Sequence, residues 1–253
     1  MSVRARSADA LLSDLEPSTA RPALRGIASM ATRLLLAELV PLWSDRSGHP
    51  AVVESVGGVD AARRIRSGEP CDIAVLAEDA IAALVADGRL HEGTTIARSP
   101  LAIAVPRGAD GFDVSTVAAL RDAVRLAPSI GLSTGPSGTR MQELFASWGL
   151  AGSLGPKTVV AAPGVPVARL VASGEVALGF QQLPELVHEA GIRVLPMPSG
   201  SAIETTFTAA VATRCRSPEL AEALISFLAS SDESVTARRR LGLSGGASRP
   251  AAR

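Results

Sequence analysis

STGPSGTR, residues 133–140, separates an apolar run typical of a buried strand, residues 128–132, from residues 141–148, whose apolar positions recur at helical spacing. The first turn of a helix has N–H groups without partners, and the helix dipole adds partial positive charge there. The order of strand, Gly/Ser turn and helix start therefore predicts an anion-binding turn. Glycine and serine also cap helices that bind nothing, so the turn alone leaves both interpretations open. The candidate ligand-binding residues in this stretch are Ser133, Ser137, Gly138, Thr139 and Arg140.

The same order of elements recurs along the chain. Strands are predicted at residues 24–28, 51–56, 73–77, 101–105, 158–161, 176–180, 192–195 and 205–212, with helices between them and a long helix at residues 218–240. This alternation indicates an α/β fold with a mainly parallel sheet, in which ligands bind at the carboxyl ends of the strands. Turns at that edge provide nine further candidate ligand-binding residues: Ser29, Met30, Ser55, Gly57, Gly58, Gly164, Val165, Gln181 and Gln182.

Composition excludes several classes of function. The chain has 253 residues, with 25 basic and 25 acidic side chains. This zero net charge argues against a nucleic-acid surface, which would need a clustered basic face. Cys71 and Cys215 are too few for a disulfide framework or a cysteine-based zinc site, and no histidine has metal-ligand spacing. The turn at 135–139 lacks the lysine of a nucleotide-binding loop. We therefore predict no metal and no cofactor.

Two further features concern location. No stretch approaches the roughly 18 apolar residues of a membrane span. The first 22 residues contain arginines but no apolar segment of the length that a secretory signal needs. We therefore expect a cytoplasmic protein, whereas a truncated start would instead allow a periplasmic or extracellular location.

A family resemblance rests on several of these residues in order: Ala28-Ser29, Gly57-Gly58 before AARRI at residues 61–65, SGEPCDI at residues 67–73, and residues 176–179. Over residues 24–243 the chain resembles the molybdate-binding branch of the periplasmic solute-binding proteins. The resemblance implies a two-lobed type 2 fold with a ligand cleft between the lobes. We assign residues 23–98 and 200–243 to lobe 1, residues 99–199 to lobe 2, residues 1–22 to a flexible lead and residues 244–253 to a flexible tail.

The resemblance also implies how a ligand is held. The family binds its oxyanion with hydroxyls and backbone amides, and the matching positions are Ser29, Ser137 and the amide of Val165. The crossings between lobes, near residues 98–105 and 194–206, add Thr205 and Thr206 to the predicted cleft.

Two positions depart from the family pattern. Gly57-Gly58 replaces a serine-rich turn, and Gln182 replaces a tyrosine in a chain that has no tyrosine. Each lost hydrogen bond to a charged ligand is worth about 1.5–3 kcal/mol, which disfavours molybdate. Glutamine both donates and accepts hydrogen bonds, so a larger ligand that bears carboxylates fits these changes better.

The leading hypothesis is an isomerase. Aconitate isomerase, which moves a double bond and a proton between cis- and trans-aconitate, is similar to the molybdate-binding proteins. This chemistry needs a general base, for which the sequence offers Glu54 as a carboxylate whose pKa burial would raise. An exposed glutamate at a strand end is the open alternative for that residue. Arg140 is the candidate partner for a substrate carboxylate.

The alternative function is a binding protein without chemistry. It would take an oxyanion or an organic acid and deliver it to an ABC permease. In both hypotheses the partner is a small polycarboxylate or oxyanion, and neither involves nucleic acid.

Overall fold

The computed structural model describes residues 23–162 and 164–245. The predicted lead at residues 1–22 and residues 246–253 of the predicted tail lie outside the described residues. Ser244, which the sequence assigned to the flexible tail, instead forms a β-bridge with Arg98, with the Ser244 N–H donating to the Arg98 carbonyl at 2.9 Å.

Within the described range the chain forms two compact units. The first comprises the residues up to Arg98 and those from Thr206 onward, and the second is Ser99–Thr205. Residues 200–205, which the sequence assigned to lobe 1, belong to the second unit. Ile203 explains this difference, because its side chain packs against the core of that unit and its carbonyl accepts the Leu101 N–H at 2.8 Å.

The first unit is built on a four-stranded sheet in the order β2-β1-β3-β9. Strands β1, β2 and β3 are parallel, and β9 is antiparallel to β3. The strands are β1 (Leu24–Ser29), β2 (Ala51–Val56), β3 (Ile73–Ala77) and β9 (Glu204–Val211, which begins in the second unit). The helices are α1 (Arg33–Ser47), α2 (Gly58–Arg66), α3 (Glu78–Ala86), α9 (Pro218–Ser230) and α10 (Asp232–Arg240).

The second unit has a mixed sheet in which β5 pairs in parallel with β6 and β7, while β4 pairs antiparallel with β7 and β8. Its strands are β4 (Thr94–Pro106, which begins in the first unit), β5 (Ile130–Leu132), β6 (Thr158–Val160), β7 (Leu178–Gln182) and β8 (Ile192–Pro196). Its helices are α4 (Val117–Leu126), α5 (Pro136–Ser147), α6 (Ala151–Leu154), α7 (Val167–Ala172) and α8 (Leu183–Leu186).

Each sheet is buried on both faces, as expected for strands that read as continuous apolar runs. In the first unit, Ile73 and Val75 of β3 pack on one side with α1 and α9, while Ala74 and Leu76 pack on the other with α2 and α3. The second unit has two corresponding apolar clusters. The sheets therefore hold the carboxyl ends of their parallel strands in fixed positions.

Two helices differ from the sequence prediction. The single helix expected at residues 218–240 is two helices, because Ser231 is extended and its side chain accepts the Ser234 N–H, which caps α10. Helix α5 begins at Pro136 rather than near Met141, since proline is well suited to the first helical position. Ser137 to Arg140 therefore form the first turn of α5 and not a loop before it.

Candidate ligand-binding site

The carboxyl edge of the first unit carries one candidate anion-binding site. β1 ends at Ser29 and β2 at Val56, and these two residues lie opposite each other in the parallel pair. Gly57 caps α2 without a side chain, and a Cβ atom added to Gly58 would lie 3.4 Å from Ser29 Oγ. The Ser29 hydroxyl therefore lies beside the first turn of α2, whose N–H groups have no intrahelical acceptors. This arrangement suits an anionic group.

The surroundings fix the Ser29 turn. Thr32 Oγ1 donates to the Ser29 carbonyl at 2.9 Å and closes the short 3-10 turn that begins at Met30. Ser29 is buried but does not cap that turn with its side chain. Met30 and Ser55 are half-buried, and Ser55 lies opposite Ala28. All five predicted residues of this unit edge thus lie on two neighbouring strands and the turns that follow them.

The carboxyl edge of the second unit carries a candidate anion-binding site of its own. Ser133 Oγ and Ser137 Oγ are 2.8 Å apart, and the Gly135 N–H donates to Ser133 Oγ at 3.3 Å. A Cβ atom at Gly138 would lie 1.9 Å from the Ser133 carbonyl oxygen. Only glycine therefore allows the first turn of α5 to pack so closely on the end of β5. Ser137 is 2% exposed, so its hydroxyl is held in one place.

Thr139 and Arg140 lie on the exposed side of α5, whereas Ser137, Gly138 and Met141 lie on its buried side. Arg140 Nη1 is 3.8 Å from Glu143 Oε2, and the arginine side chain is 53% exposed. Their role in binding a carboxylate stays a prediction.

Gln181 and Gln182 have different partners, although they are neighbours at the end of β7. Gln181 Oε1 accepts the Val167 N–H at 2.8 Å and its Nε2 donates to Glu185 Oε2 at 2.8 Å, so Gln181 joins the starts of α7 and α8. Gln182 Nε2 donates to Thr205 Oγ1 at 2.6 Å. Gln182 is 3% exposed, and its Oε1 has no partner among the described residues. Gln182 is therefore the better candidate for ligand contact.

The turn after β6 does not offer the expected amide donor. The Val165 N–H donates to the Ala162 carbonyl at 2.9 Å, so it already has a partner within its own turn. Gly164 has a φ of +81°, which favours glycine at that position. The assignment of the Val165 amide to ligand binding is corrected to a turn-closing role. Thr206 lies in the first unit and is half-buried in β9.

Glu54 is not the buried carboxylate that was predicted. Its side chain is 56% exposed, and Arg64 Nη1 and Nη2 donate to its Oε1 and Oε2 at 3.0 and 2.7 Å. This hydrogen bonding by Arg64 lowers the pKa of Glu54 below its ordinary 4.5. The prediction of a raised pKa for Glu54 is therefore wrong, because the side chain lies on the side of β2 that faces α2 and not in an apolar site.

No group of three or more possible metal-ligating side chains occurs among residues 23–162 and 164–245. The helices within those ranges include none long and apolar enough to cross a membrane.

A profile of the family described as bacterial extracellular solute-binding protein matches residues 24–239, which is most of the chain. The chain belongs to this family. The resemblance drawn from Ser29, Gly57-Gly58 and the later motifs is confirmed.

Relatives of this solute-binding family member carry names that point to different activities. A Pseudomonas protein named aconitate isomerase is 31% identical over 204 residues, which is 77% of this chain and 78% of that protein. The periplasmic molybdate-binding protein of Azotobacter vinelandii superposes with a TM-score of 0.74 at 19% identity, over 87% of this chain and 98% of that chain. A sulfate-binding protein of Mycobacterium tuberculosis superposes with a TM-score of 0.71 at 13% identity, over 88% and 86%. The two structural likenesses confirm the two-lobed type 2 α/β fold.

Two carboxylates at the same edge escaped the sequence analysis. Glu78 and Asp79 follow β3 directly, and β3 pairs in parallel with β1, so they lie at the edge that carries Ser29. Both side chains are exposed in the first turn of α3. The rule that singled out Ser29 and Gly57, residues directly after a buried strand, would have found them.

Proposed function

We propose that this protein binds a small polycarboxylate and isomerises it, with the cis and trans isomers of aconitate as the leading substrates. The observation that carries the proposal is the 31% identity to a protein named aconitate isomerase over most of both chains. The donor set supports it. Ser29 with the Gly57-Gly58 turn, and Ser137 with Gln182, place uncharged donors at the edge of each unit, where carboxylates bind with their charge intact.

Gln182 offers a buried amide for contact with a carboxylate. Its amide is buried, with one end bonded to Thr205 and the other without a partner among the described residues. If the amide turns by 180°, Oε1 accepts the Thr205 hydroxyl and Nε2 is free to donate to a ligand. An ionised carboxylate, which only accepts hydrogen bonds, can accept that amide N–H.

The reaction is a 1,3 proton shift. A base takes a proton from the methylene carbon of aconitate, the C–H electron pair delocalises into the adjacent double bond and carboxylate, and a proton returns to the other allylic carbon. Hydroxyl and amide donors stabilise the enolate-like charge in between. With Glu54 excluded as a carboxylate of raised pKa, Glu78 and Asp79 are the carboxylates to test as the base.

The first experiment is turnover itself. Purified protein is incubated with trans-aconitate in heavy water, and proton NMR follows the appearance of cis-aconitate and the loss of the allylic proton signal. Ser137→Ala and Gln182→Met are expected to weaken substrate binding by about 10- to 100-fold, the loss of one hydrogen bond to a charged group. Ser147→Ala, at the exposed end of the same helix α5, is the matched control and should behave like the parent protein.

The base is tested separately from binding. Glu78→Gln and Asp79→Asn are each compared with the parent protein by thermal shift in the presence of trans-aconitate and by turnover. The variant that removes the base keeps the ligand-induced stabilisation and loses turnover by roughly 10²–10⁴-fold. Normal turnover in both variants rules out these two carboxylates.

The alternative is a binding protein without chemistry, which membership of the solute-binding family favours. Saturating ligand raises the stability of the protein by about 2.7 kcal/mol at 100 times its Kd. Stabilisation by molybdate or tungstate, with none by the aconitates and no conversion of them, would replace the isomerase proposal by this one. A permease partner then becomes part of the proposal. The cytoplasmic location remains a prediction, which cell fractionation tests.

A further inference from the structure

The first unit contains a cavity on the edge opposite Ser29. Its volume is about 400 Å³, within the range of sites that hold small molecules. Leu24 begins β1, Asp72 precedes β3, and Ala212 follows the antiparallel strand β9, so all three lie at the same edge. Gly68 and Gly88, which follow α2 and α3, complete the wall. No residue of the predicted ligand-binding set lines this cavity.

Four arginines line the cavity: Arg25, Arg89, Arg214 and Arg216. Among the described residues none of their guanidinium groups forms an ion pair. The two acidic residues of the lining, Glu69 and Asp72, are both engaged. Glu69 Oε2 accepts from Arg64 Nε at 2.7 Å, which lowers the pKa of Glu69, and Asp72 Oδ2 accepts the Arg25 N–H at 2.8 Å.

The negative ends of two helices offset only part of this positive charge. Helices α2 and α3 end at the cavity, and each C-terminus contributes about half a negative charge. Their last carbonyls already have backbone partners, since the Gly68 N–H donates to Ile65 O at 3.0 Å and the Gly88 N–H donates to Val85 O at 2.9 Å. The four guanidinium groups carry four positive charges, whereas the two acids and the two helix ends together carry about three negative charges. About one positive charge is therefore left over. The positive charge of Arg64 also offsets the negative charge of Glu69, which leaves the lining more positive still.

We propose that this cavity binds a small anion with at least two acidic groups, either carboxylates or phosphates. The guanidinium group binds both in a bidentate manner, and several such groups around one cavity favour a polyanion over a single charge. The chain has zero net charge, so the positive lining is a local feature and not the result of a basic protein. The proposal does not depend on the proposed function, because the two sites lie at opposite edges of the sheet of the first unit.

Glycine amides report on the two edges separately. In protein labelled with ¹⁵N-glycine, Gly68 and Gly88 report on the cavity, while Gly58 and Gly138 report on the candidate site. Pyrophosphate and tricarballylate are each titrated to millimolar concentration at constant ionic strength. Saturable shifts of Gly68 and Gly88 are expected, and the probe that produces them identifies phosphate or carboxylate as the preferred group.

A double variant tests the charge. Arg214→Gln with Arg216→Gln removes two exposed guanidinium groups after β9. It should raise the Kd of the probe, read at the Gly68 amide, by about tenfold or more. Arg107→Gln with Arg121→Gln removes two exposed arginines of the second unit and should leave the Kd unchanged. Equal affinity in the two double variants overturns the proposal. Shifts confined to Gly58 and Gly138, or none with either probe, also overturn it, and shifts at those two glycines alone leave the proposed function intact.

Discussion

At the scale of single residues, Gly138 makes the closest approach in the candidate site. A methyl group there would lie 1.9 Å from the Ser133 carbonyl oxygen. We expect Gly138→Ala to lower the free energy of unfolding by about 1–3 kcal/mol or more, because both atoms belong to constrained backbone. Gly152→Ala is the control, since Gly152 lies in helix α6 with no atom within 4 Å of an added Cβ, and it should be neutral or stabilise slightly. Urea unfolding followed by circular dichroism measures both.

The thiol of Cys71 gives a second residue-scale prediction. Burial is the main cause that raises the pKa of Cys71 from 9.0 to about 11. The thiolate fraction at pH 8 is then about a hundredfold smaller than for an ordinary thiol, and alkylation by a maleimide is slower in proportion. Peptide mass spectrometry after timed alkylation measures the rate. A rate equal to that of Cys71 in the denatured chain would contradict the raised pKa.

At the scale of secondary structure, the side chain of Lys157 caps the C-terminus of helix α4. Its Nζ donates to the carbonyls of Val124, Arg125 and Ala127 at 3.1, 2.7 and 2.8 Å. These carbonyls belong to the last turn of α4 and the residue after it, where intrahelical partners are missing. We expect Lys157→Met to lower the free energy of unfolding by about 1–3 kcal/mol, since the carbonyls lose a charged donor.

Arg121→Met is the matched change for Lys157, because it removes an exposed cation from the same helix without such contacts. Urea unfolding should place Arg121→Met close to the parent protein. Equal stability of the two variants would mean that water replaces Lys157 without cost.

Arg64 joins β2 to α2 and to the turn that follows it. Hydrogen bonding by Arg64 is the largest cause that lowers the pKa of Glu54 and of Glu69 below 4.5. Carboxylates with lowered pKa values stabilise the folded state above pH 4.5, and this contribution is lost as the pH falls through their folded-state values. The melting temperatures of the parent protein and of Arg64→Gln should therefore differ most near neutral pH and converge in acid.

Arg63→Gln is the control for Arg64, since Arg63 is exposed and pairs only with Asp60 of the same helix among the described residues. Its melting temperature should follow that of the parent protein at each pH. Because Glu54 and Arg64 are solvent-accessible, added salt should reduce the effect of Arg64→Gln. A difference that persists in acid would contradict the linkage.

At the scale of the whole molecule, Glu54 belongs to an exposed ion pair with Arg64 and is expected to have no part in catalysis. We expect Glu54→Gln to keep turnover of aconitate within about twofold, because removal of a true general base costs roughly 10²–10⁴-fold. The assay is the proton NMR experiment on trans-aconitate. A loss of that larger size with ligand binding intact would restore Glu54 as the base.

The sequence alone determined the order of the strands, the strand–turn–helix units and the family. These depend on local periodicity, on capping residues and on apolar runs, which are properties of short segments. Ser29, the Gly57-Gly58 turn, Ser133 and Ser137 were predicted to lie at strand ends and helix starts for this reason. The break at Ser231 was missed because the apolar positions continue through it, although a serine three residues before Ser234 is a capping signal.

Only the tertiary structure decided which atoms have partners. Glu54 pairs with Arg64 on the next helix, the Val165 N–H is consumed within its own turn, and Gln181 and Gln182 point in opposite directions from one strand. The arginine-lined cavity likewise forms from separate parts of the chain, residues 23–25, 65, 68–72, 88–89, 212–214 and 216–217. Such contacts depend on how sheets and helices pack, and the same local pattern is compatible with several arrangements of distant side chains.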